Sequence, residues 1–407
     1  MNVRIAQYAL AAVLVRLADE GARVALALLA LQRSGSAAVG GWLVAALLVP
    51  HVVAAPVVGL LTDRARRPRL VICAGTAVFG TALAAAAAST GHLPTPAVVA
   101  VLLVGGCGGP ALTGGLSSQL PALVSPAALA RAFGLDSLTY NGSGILGPAA
   151  AAVLSGLAGP AVATYALAGS ALTGAAAIAV LSTRDAPTTS SATQAPRPSP
   201  LAGMRVMLAD RTLFAVTAAT SLSQLGAGAL PVVAAVLAHH RHHTAAAGWL
   251  MTSLAAGGLL GSLAWSWRPA SPARATTVVL GGLIASAMPL AAAAGCSALP
   301  VTAILFAVSG LLGGPAIGAL LTVRDRHAPA GLRGQVFTLG AGAKITAAAG
   351  GAALAGTLAN LPDPAQLLAV AGFPLLGGAL GATLLSLPAR PAPRGRQPRR
   401  CTVDSVS

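Results

Sequence analysis

Apolar residues run along this chain in stretches of about twenty, separated by short segments rich in charge or proline. About twenty residues of α-helix rise roughly 30 Å, the thickness of a bilayer's hydrocarbon core. The pattern predicts twelve membrane-spanning helices, over 8–31, 38–61, 70–90, 96–118, 131–156, 161–182, 212–237, 244–265, 275–294, 299–323, 335–358 and 365–387. Because the stretches recur from end to end, a secretory signal alone does not account for them. Residues 183–210 break the pattern as a linker: the stretch 183–205, "TRDAPTTSSATQAPRPSPLAGMR", is rich in Pro, Ser and Thr and reads as flexible. It separates a six-span bundle over 1–182 from a second over 211–388, which a basic tail follows at 389–407.

The two halves echo each other. "GGPALTGGL" at 108–116 returns as "GGPAIGALL" at 313–321, and Pro126 before Arg131 returns as Pro329 before Arg333. The shared order and offset, with the linker midway, predict a duplicated six-helix unit. Frequent Gly inside the spans predicts close helix packing, since small residues let backbones approach in lipid.

Composition agrees: 56% of residues are hydrophobic and 8% charged, against roughly one quarter charged in soluble domains. The formal net charge of +16 raises nucleic acid as a partner, but its distribution excludes that reading. Arginines crowd every second loop, from Arg64–Arg69 through Arg131, Arg184–Arg211, Arg268–Arg274 and Arg324–Arg333 to the tail, whereas the alternate loops hold Arg33 and Arg241. Such a bias marks cytoplasmic loops. A multi-pass protein of the cell membrane with both termini cytoplasmic is expected.

Inside the predicted spans the ionisable residues are Arg16, Asp19, Glu20, Arg23, Asp136 and Lys344; Glu20 is the sole Glu and Lys344 the sole Lys. Each ionised group at mid-bilayer costs roughly 2.5–3.5 kcal/mol on the insertion scale. At about 100° per residue, Arg16, Asp19, Glu20 and Arg23 share an arc of roughly 100°, so one face of the first helix can point into the bundle. Pairs four apart, Arg16 with Glu20 and Asp19 with Arg23, would neutralise the patch. Polar groups in spans mark ion or substrate paths, and Asp19, Glu20 and Asp136 are the candidates for proton exchange. Arg16, Arg23 and Lys344 are their candidate charge partners and, together with Tyr140, Asn141 and Gln224, candidates for substrate binding; Arg23 and Lys344 are expected to take an anionic group.

Two motifs carry a family resemblance. "GLLTDRARRPRL", Gly59 to Leu70, is similar to the loop signature G-x-L-A-D-R-x-G-R-R of the major facilitator superfamily: Gly59, Leu61, Asp63, Arg64 and Arg67 match, with Arg66 and Pro68 at the two departures. The equivalent place in the second half has Trp265 instead of an acid. In the fifth span, "YNGSGILGP" resembles the antiporter motif G-x-x-x-G-P of the drug-exporting branches, with Gly147 and Pro148 matching and Ser143 at the first glycine. The fourth span lacks the arginine that drug/proton antiporters of the superfamily often carry there. The resemblance implies an all-α fold of twelve transmembrane helices in two six-helix bundles related by pseudo-two-fold symmetry. It also implies a cytoplasmic latch at Gly59, Asp63, Arg64 and Arg67, and a helix kink at Gly147 and Pro148.

The expected function is proton-coupled export (antiport) of a small organic molecule by alternating access, by a monomer, without a cofactor. The alternatives are a proton-symporting importer and a transport-inactive membrane sensor. No HExxH, GxSxG or Walker-type sequence points to an enzyme. Four cysteines have no metal-ligand spacing, and "HHRHH" at His239–His243 is expected to be a solvated outer loop rather than a metal site.

Overall fold

The computed structural model describes residues 3–181, 199, 201–241, 246–358 and 361–387. Its α-helices are α1 (Val3–Ser34), α2 (Ala37–Leu48), α3 (Pro50–Arg64), α4 (Pro68–Ser89), α5 (Thr95–Gly106), α6 (Leu120–Leu123), α7 (Leu129–Ala158) and α8 (Pro160–Ala179). They continue with α9 (Ala202–Ala209), α10 (Arg211–His240), α11 (Ala246–Trp267), α12 (Ala275–Ala293), α13 (Leu299–His327), α14 (Arg333–Leu358) and α15 (Asp363–Ser386). Hydrocarbon offers a backbone amide no partner, so a spanning chain satisfies itself along a helix. Among the described residues, nine stretches are long and apolar enough to cross a membrane by length and composition. The other three long helices are α1, α7 and α14, of 32, 30 and 26 residues. They are the helices that carry the six intramembrane charges read from the sequence.

Two spans are interrupted. Pro50 has no N–H to donate, so the second span is built as α2 and α3, with Val49 between them still in helical conformation. The fourth span leaves α5 at Gly106 and resumes past Pro110 as a π-helical turn over Ala111–Gly115. Glycines make that detour possible: a methyl group at Gly106 would lie 2.4 Å from the Leu47 carbonyl oxygen, and one at Gly108 would lie 2.1 Å from that of Gly75.

The six-helix halves pack by one plan. In the first, α1 lies against α7 and α8, α4 against α5 and α8, and α2 against α5; in the second, α10 lies against α14 and α15, α12 against α13 and α15, and α11 against α13. The halves meet through α3 with α14, the π-turn with α14, and α7 with α11 and α13. These contacts also obey the internal symmetry, because α3 and the π-turn correspond to α11 and α13, and α14 corresponds to α7. The named contacts lie toward the arginine-rich end, where α1 begins: Gly59 against Gln335, Gly114 against Phe337, and Gly134 against Ser266.

Local differences from the sequence expectation have physical causes. The expected linker extends to residue 210, but Ala202–Ala209 forms α9, because Met207 buries itself with Leu213, Ala328 and Val336. Residues 183–198 and the tail at 389–407 lie outside the described residues. Helix α10 runs on through His240, whose Nδ1 is 2.7 Å from Asp363, and Arg241 donates to the Cys296 and Ser297 carbonyls. That part of "HHRHH" is therefore tied down rather than a free loop; His242 and His243 lie outside the described residues. Helix α13 continues past residue 323 to His327, which moves Arg324 from the expected loop into the helix.

The crossing of α11 with α13 is among the tightest: a methyl group at Gly310 would lie 1.9 Å from the Leu254 carbonyl oxygen and one at Gly257 would lie 1.9 Å from that of Ala307. Backbone cannot yield as a side-chain tip can, so Gly310→Val is expected to cost about 1–3 kcal/mol or more. Thermal unfolding of the purified protein checks this, with Gly281→Ala, which meets nothing within 4 Å, expected to unfold as the wild type does.

Candidate functional site

The charges on α1 divide. Arg16, 2% exposed, does not reach Glu20; its Nη1 donates to Asp136 Oδ1 at 2.7 Å and to the Asp136 carbonyl at 3.0 Å, and it also contacts Thr139 Oγ1. Its Nη2 donates to Ser117 Oγ at 3.0 Å. Asp136, fully buried, further accepts from the Tyr8 hydroxyl (2.6 Å) and from Ser117 Oγ (2.7 Å). The expected Arg16–Glu20 pair is thus replaced by a pair between α1 and α7. The reason is geometric: a carboxylate brought in by a neighbouring helix can stack further donors around itself, which an i, i+4 partner on the same exposed face cannot.

The Arg16 guanidinium carbon also lies 3.5 Å from the centre of the Tyr140 ring, a cation–π contact. Tyr140 lines the central cavity, so its ring separates the Arg16–Asp136 pair from that space. Asp136, read as a candidate for proton exchange, is not among the residues that line the cavity.

Asp19, Glu20 and Arg23 form a second group. Arg23 bridges both acids, at 3.1 Å from Asp19 Oδ2 and 2.9 Å from Glu20 Oε2. The Asp19–Arg23 pair four apart is as expected, whereas Glu20 uses the pair three apart. The patch therefore loses the zero formal charge read from the sequence: with Arg16 committed elsewhere, two carboxylates share one cation.

This group faces a cavity of about 520 Å³ between the halves. Helical spacing sets the walls. Gln224, Ala227, Gly228 and Pro231 come from α10, Ile317, Leu320, Leu321 and Arg324 from α13, and Ala341, Lys344, Ile345 and Ala348 from α14; Tyr140 and Asn141 come from α7. The π-turn supplies Thr113. Tyr140, Asn141, Gln224 and Lys344 thus all reach the same space. Asn141 also donates to Ser262 Oγ at 2.7 Å, linking α7 to α11.

Three features escape the sequence reading. Arg324 has the look of a loop arginine just past an apolar run, yet it is 3% exposed and lines the cavity. His51, within the second span, is buried with Nε2 3.3 Å from Thr113 Oγ1; an isolated His in "LLVPHVVAAP" was a readable signal. Tyr8 and Ser117 complete the shell of Asp136, and nothing in the local pattern marks them.

The motif residues also find partners. Asp63 accepts from the backbone N–H groups of Gly334 (2.7 Å) and Gln335 (2.9 Å) at the start of α14. The expected latch drew on the neighbouring arginines; the acid instead caps a helix N-terminus of the other half, where unpaired amides and the helix dipole favour negative charge. Gly59 lets the backbones meet, since a methyl group there would lie 2.5 Å from the Gln335 Cα. Thr338 Oγ1 donates to the Ala55 carbonyl at 2.8 Å. Arg67 serves as the residue before α4, and Arg64 sits in the last turn of α3. Trp265, the counterpart of Asp63, packs its ring on Gly318, so a carboxylate stands at only one of the two corresponding positions.

Pro148 lies inside α7, which remains a single helix over Leu129–Ala158. Gly147 provides close approach: a methyl group on it would lie 2.9 Å from the Leu17 carbonyl oxygen and 3.0 Å from Glu20 Cβ. The Gly-Pro motif is therefore packed against the acidic turn of α1. Among the described residues no group of three or more His, Cys, Asp or Glu could hold a metal ion.

Two outcomes follow. Removing one member of a buried ion pair costs about 3–5 kcal/mol, so Arg16→Gln and Asp136→Asn should each lower the thermal unfolding temperature sharply, and the double variant should be less destabilised than the sum of the two. Asp63→Ala removes the cap on α14. Spin labels at Arg66→Cys and Ala330→Cys, in a background without the native cysteines, should report a longer mean distance in that variant by pulsed electron resonance.

The family model described as Major Facilitator Superfamily matches residues 8–344. An uncharacterized MFS-type transporter, y4rN, of Sinorhizobium fredii is 30% identical over 362 residues, covering 86% of this chain and 87% of that protein. The fold is similar to the human organic anion transporter MFSD10 (TETRAN), with a TM-score of 0.74 at 18% identity over 93% of this chain and 99% of the other. It is also similar to a bacterial homologue of the iron transporter ferroportin in an outward-facing state, with a TM-score of 0.72 at 16% identity over 94% and 100% of the two chains. With its spans, paired bundles and motif contacts, the chain belongs to the Major Facilitator Superfamily, whose members are membrane transporters rather than enzymes.

Proposed function

We propose that the protein is a proton-coupled secondary transporter that moves a small organic molecule through the central cavity by alternating access. One observation carries this reading: Asp19 and Glu20 face the cavity between the halves with a single cation, Arg23, between them. Two carboxylates that share one cation leave an acid able to exchange a proton with whatever occupies the cavity. Asp136, enclosed with Arg16, Tyr8 and Ser117, holds α1 and α7 together beneath it.

The arginine distribution supports a cytoplasmic placement of both termini. In that orientation the end closed by Asp63 and α14 is cytoplasmic, which supports an outward-facing state. Opening toward the cytoplasm breaks the Asp63 cap and the α7–α11 contact, while the packing within each half persists. The protein is proposed to act as a monomer in the cell membrane, its partners the solute, protons and lipid, with no nucleic acid and no cofactor.

Export by proton antiport is the mode that the Gly147–Pro148 motif implies, and its packing on Glu20 Cβ supports a link between motif and acid. Antiport requires solute and proton to compete for the cavity. A second reading, uptake by proton symport, is favoured by Arg324 and Lys344, which put more positive than negative charge around the cavity. Protonating Glu20 then raises the positive charge further, and a negatively charged solute would bind with the proton rather than against it.

In proteoliposomes, Asp19→Asn and Glu20→Gln are expected to abolish solute accumulation driven by an imposed pH gradient, while solute counterflow, which needs no net proton movement, persists. Wild-type accumulation in both variants would refute the coupling assignment. Absence of counterflow in the wild type would favour the transport-inactive sensor, and flux compared between right-side-out and inverted vesicles separates export from uptake.

A further inference from the structure

Among the described residues, the other two arginines near the cavity have carboxylates. Arg16 has Asp136, and Arg23 has Asp19 and Glu20. Asp325, next to Arg324 in sequence, is engaged instead by Arg333 at 3.0 Å, because consecutive residues point about 100° apart around a helix. Arg324 itself is 3% exposed, and its Nε and Nη2 have no hydrogen-bond partner among the described residues. Its guanidinium is pressed against α14, where a methyl group on Gly340 would lie 2.4 Å from it. Lys344, one turn along α14 from Gly340, lines the same cavity and forms no ion pair among the described residues.

A buried guanidinium keeps its charge and has to be compensated. Among the described residues no carboxylate pairs with it, and the cavity it lines has room for a small molecule. We propose that Arg324 and Lys344 form an anion-binding subsite in the second half, and that the cargo is a small organic anion carrying a carboxylate, sulfonate or phosphate ester. Arg324 supplies the planar fork that such groups match and Lys344 a point charge. The carbon skeleton lies on Ala227, Pro231, Ile317 and Ile345, and Gln224 faces it as a hydrogen-bonding group. Arg23, expected from the sequence to take an anionic group, is already held by two acids, so the role passes to Arg324. The word cargo rests on the transport reading; the anion site does not. An anionic cargo also favours symport over antiport, since a proton on Glu20 and the anion reinforce each other.

The full chain in lipid nanodiscs is heated with matched sets that share a skeleton: benzoate, benzamide and benzylammonium, then naphthoate and its amide and ammonium counterparts, with benzenesulfonate, phenyl phosphate and inorganic phosphate added. The organic anions are expected to raise the unfolding temperature at millimolar concentration, and the amides and ammonium compounds are not. Arg324→Gln should weaken the anion by about thirtyfold or more, the loss expected when one member of a desolvated charge pair is removed. Arg324→Lys should retain part of the affinity, Lys344→Gln should weaken it, and Arg274→Gln, at an exposed position before α12, should leave it unchanged. Without ligand, Arg324→Gln should unfold at a higher temperature than the wild type, because an uncompensated charge is gone. The proposal is overturned if no organic anion stabilises the wild type, if amide or ammonium counterparts do so equally, or if Arg324→Gln keeps full anion affinity. Stabilisation by inorganic phosphate with no response to the organic anions would also end it. Counterflow of the stabilising anion separates the two claims: binding without counterflow ends the transport reading and keeps the site, whereas counterflow of a neutral solute unaffected by Arg324→Gln does the reverse.

Discussion

A guanidinium buried in the bundle has to be compensated, and Arg16 takes Asp136 from 120 residues away. Much of the site depends on that pairing. It ties α1 to α7, and the backbones come close where Gly21 meets Gly147. With the crossing fixed, the next turn of α1 presents Asp19, Glu20 and Arg23 to the space between the halves. Tyr140 closes over Arg16 on the cavity side. A charge-neutral foundation is thereby kept apart from the group proposed to exchange protons.

The two halves share a packing plan and use it differently. The first brings acids to the cavity on α1; the second brings cations on α13 and α14 that form no ion pair among the described residues. At the closed end Asp63 meets the start of α14, while its counterpart Trp265 offers an indole against glycine. Duplication supplied symmetric contacts for rocking, and divergence placed charge on only one of each symmetric pair. In the proposed cycle the asymmetry matters physically, because opposite charges on opposite halves would give a bound solute and a bound proton separate purchase on the same motion.

The fold was legible because lipid imposes a simple rule: apolar stretches of spanning length, charge at alternate ends. Even the echo between 108–116 and 313–321 lies on corresponding spans. Within the candidate site, the composition of the cavity was readable where a polar residue interrupts an apolar run, as at Asp19, Tyr140 and Lys344. Pairing was not. Spacing on one helix suggested Arg16 with Glu20, but the partner came from another helix, and sequence distance says nothing about which. Arg324 was hidden by the rule that revealed the topology, since an arginine at the end of an apolar run looks the same whether it faces water or folds back beneath a cavity. Asp63 was readable as a latch, but its partners are backbone amides, which every sequence contains.

The central claim is that the protonation change accompanying transport occurs at the acids of α1 that share Arg23. Infrared difference spectra of the protein in lipid, taken between acidic and alkaline medium, test this directly through the carboxyl bands. The account predicts a band from a protonated carboxylic acid that appears on acidification, weakens in Asp19→Asn or Glu20→Gln, and disappears in the double variant. A carboxyl band that persists undiminished in the double variant would contradict it.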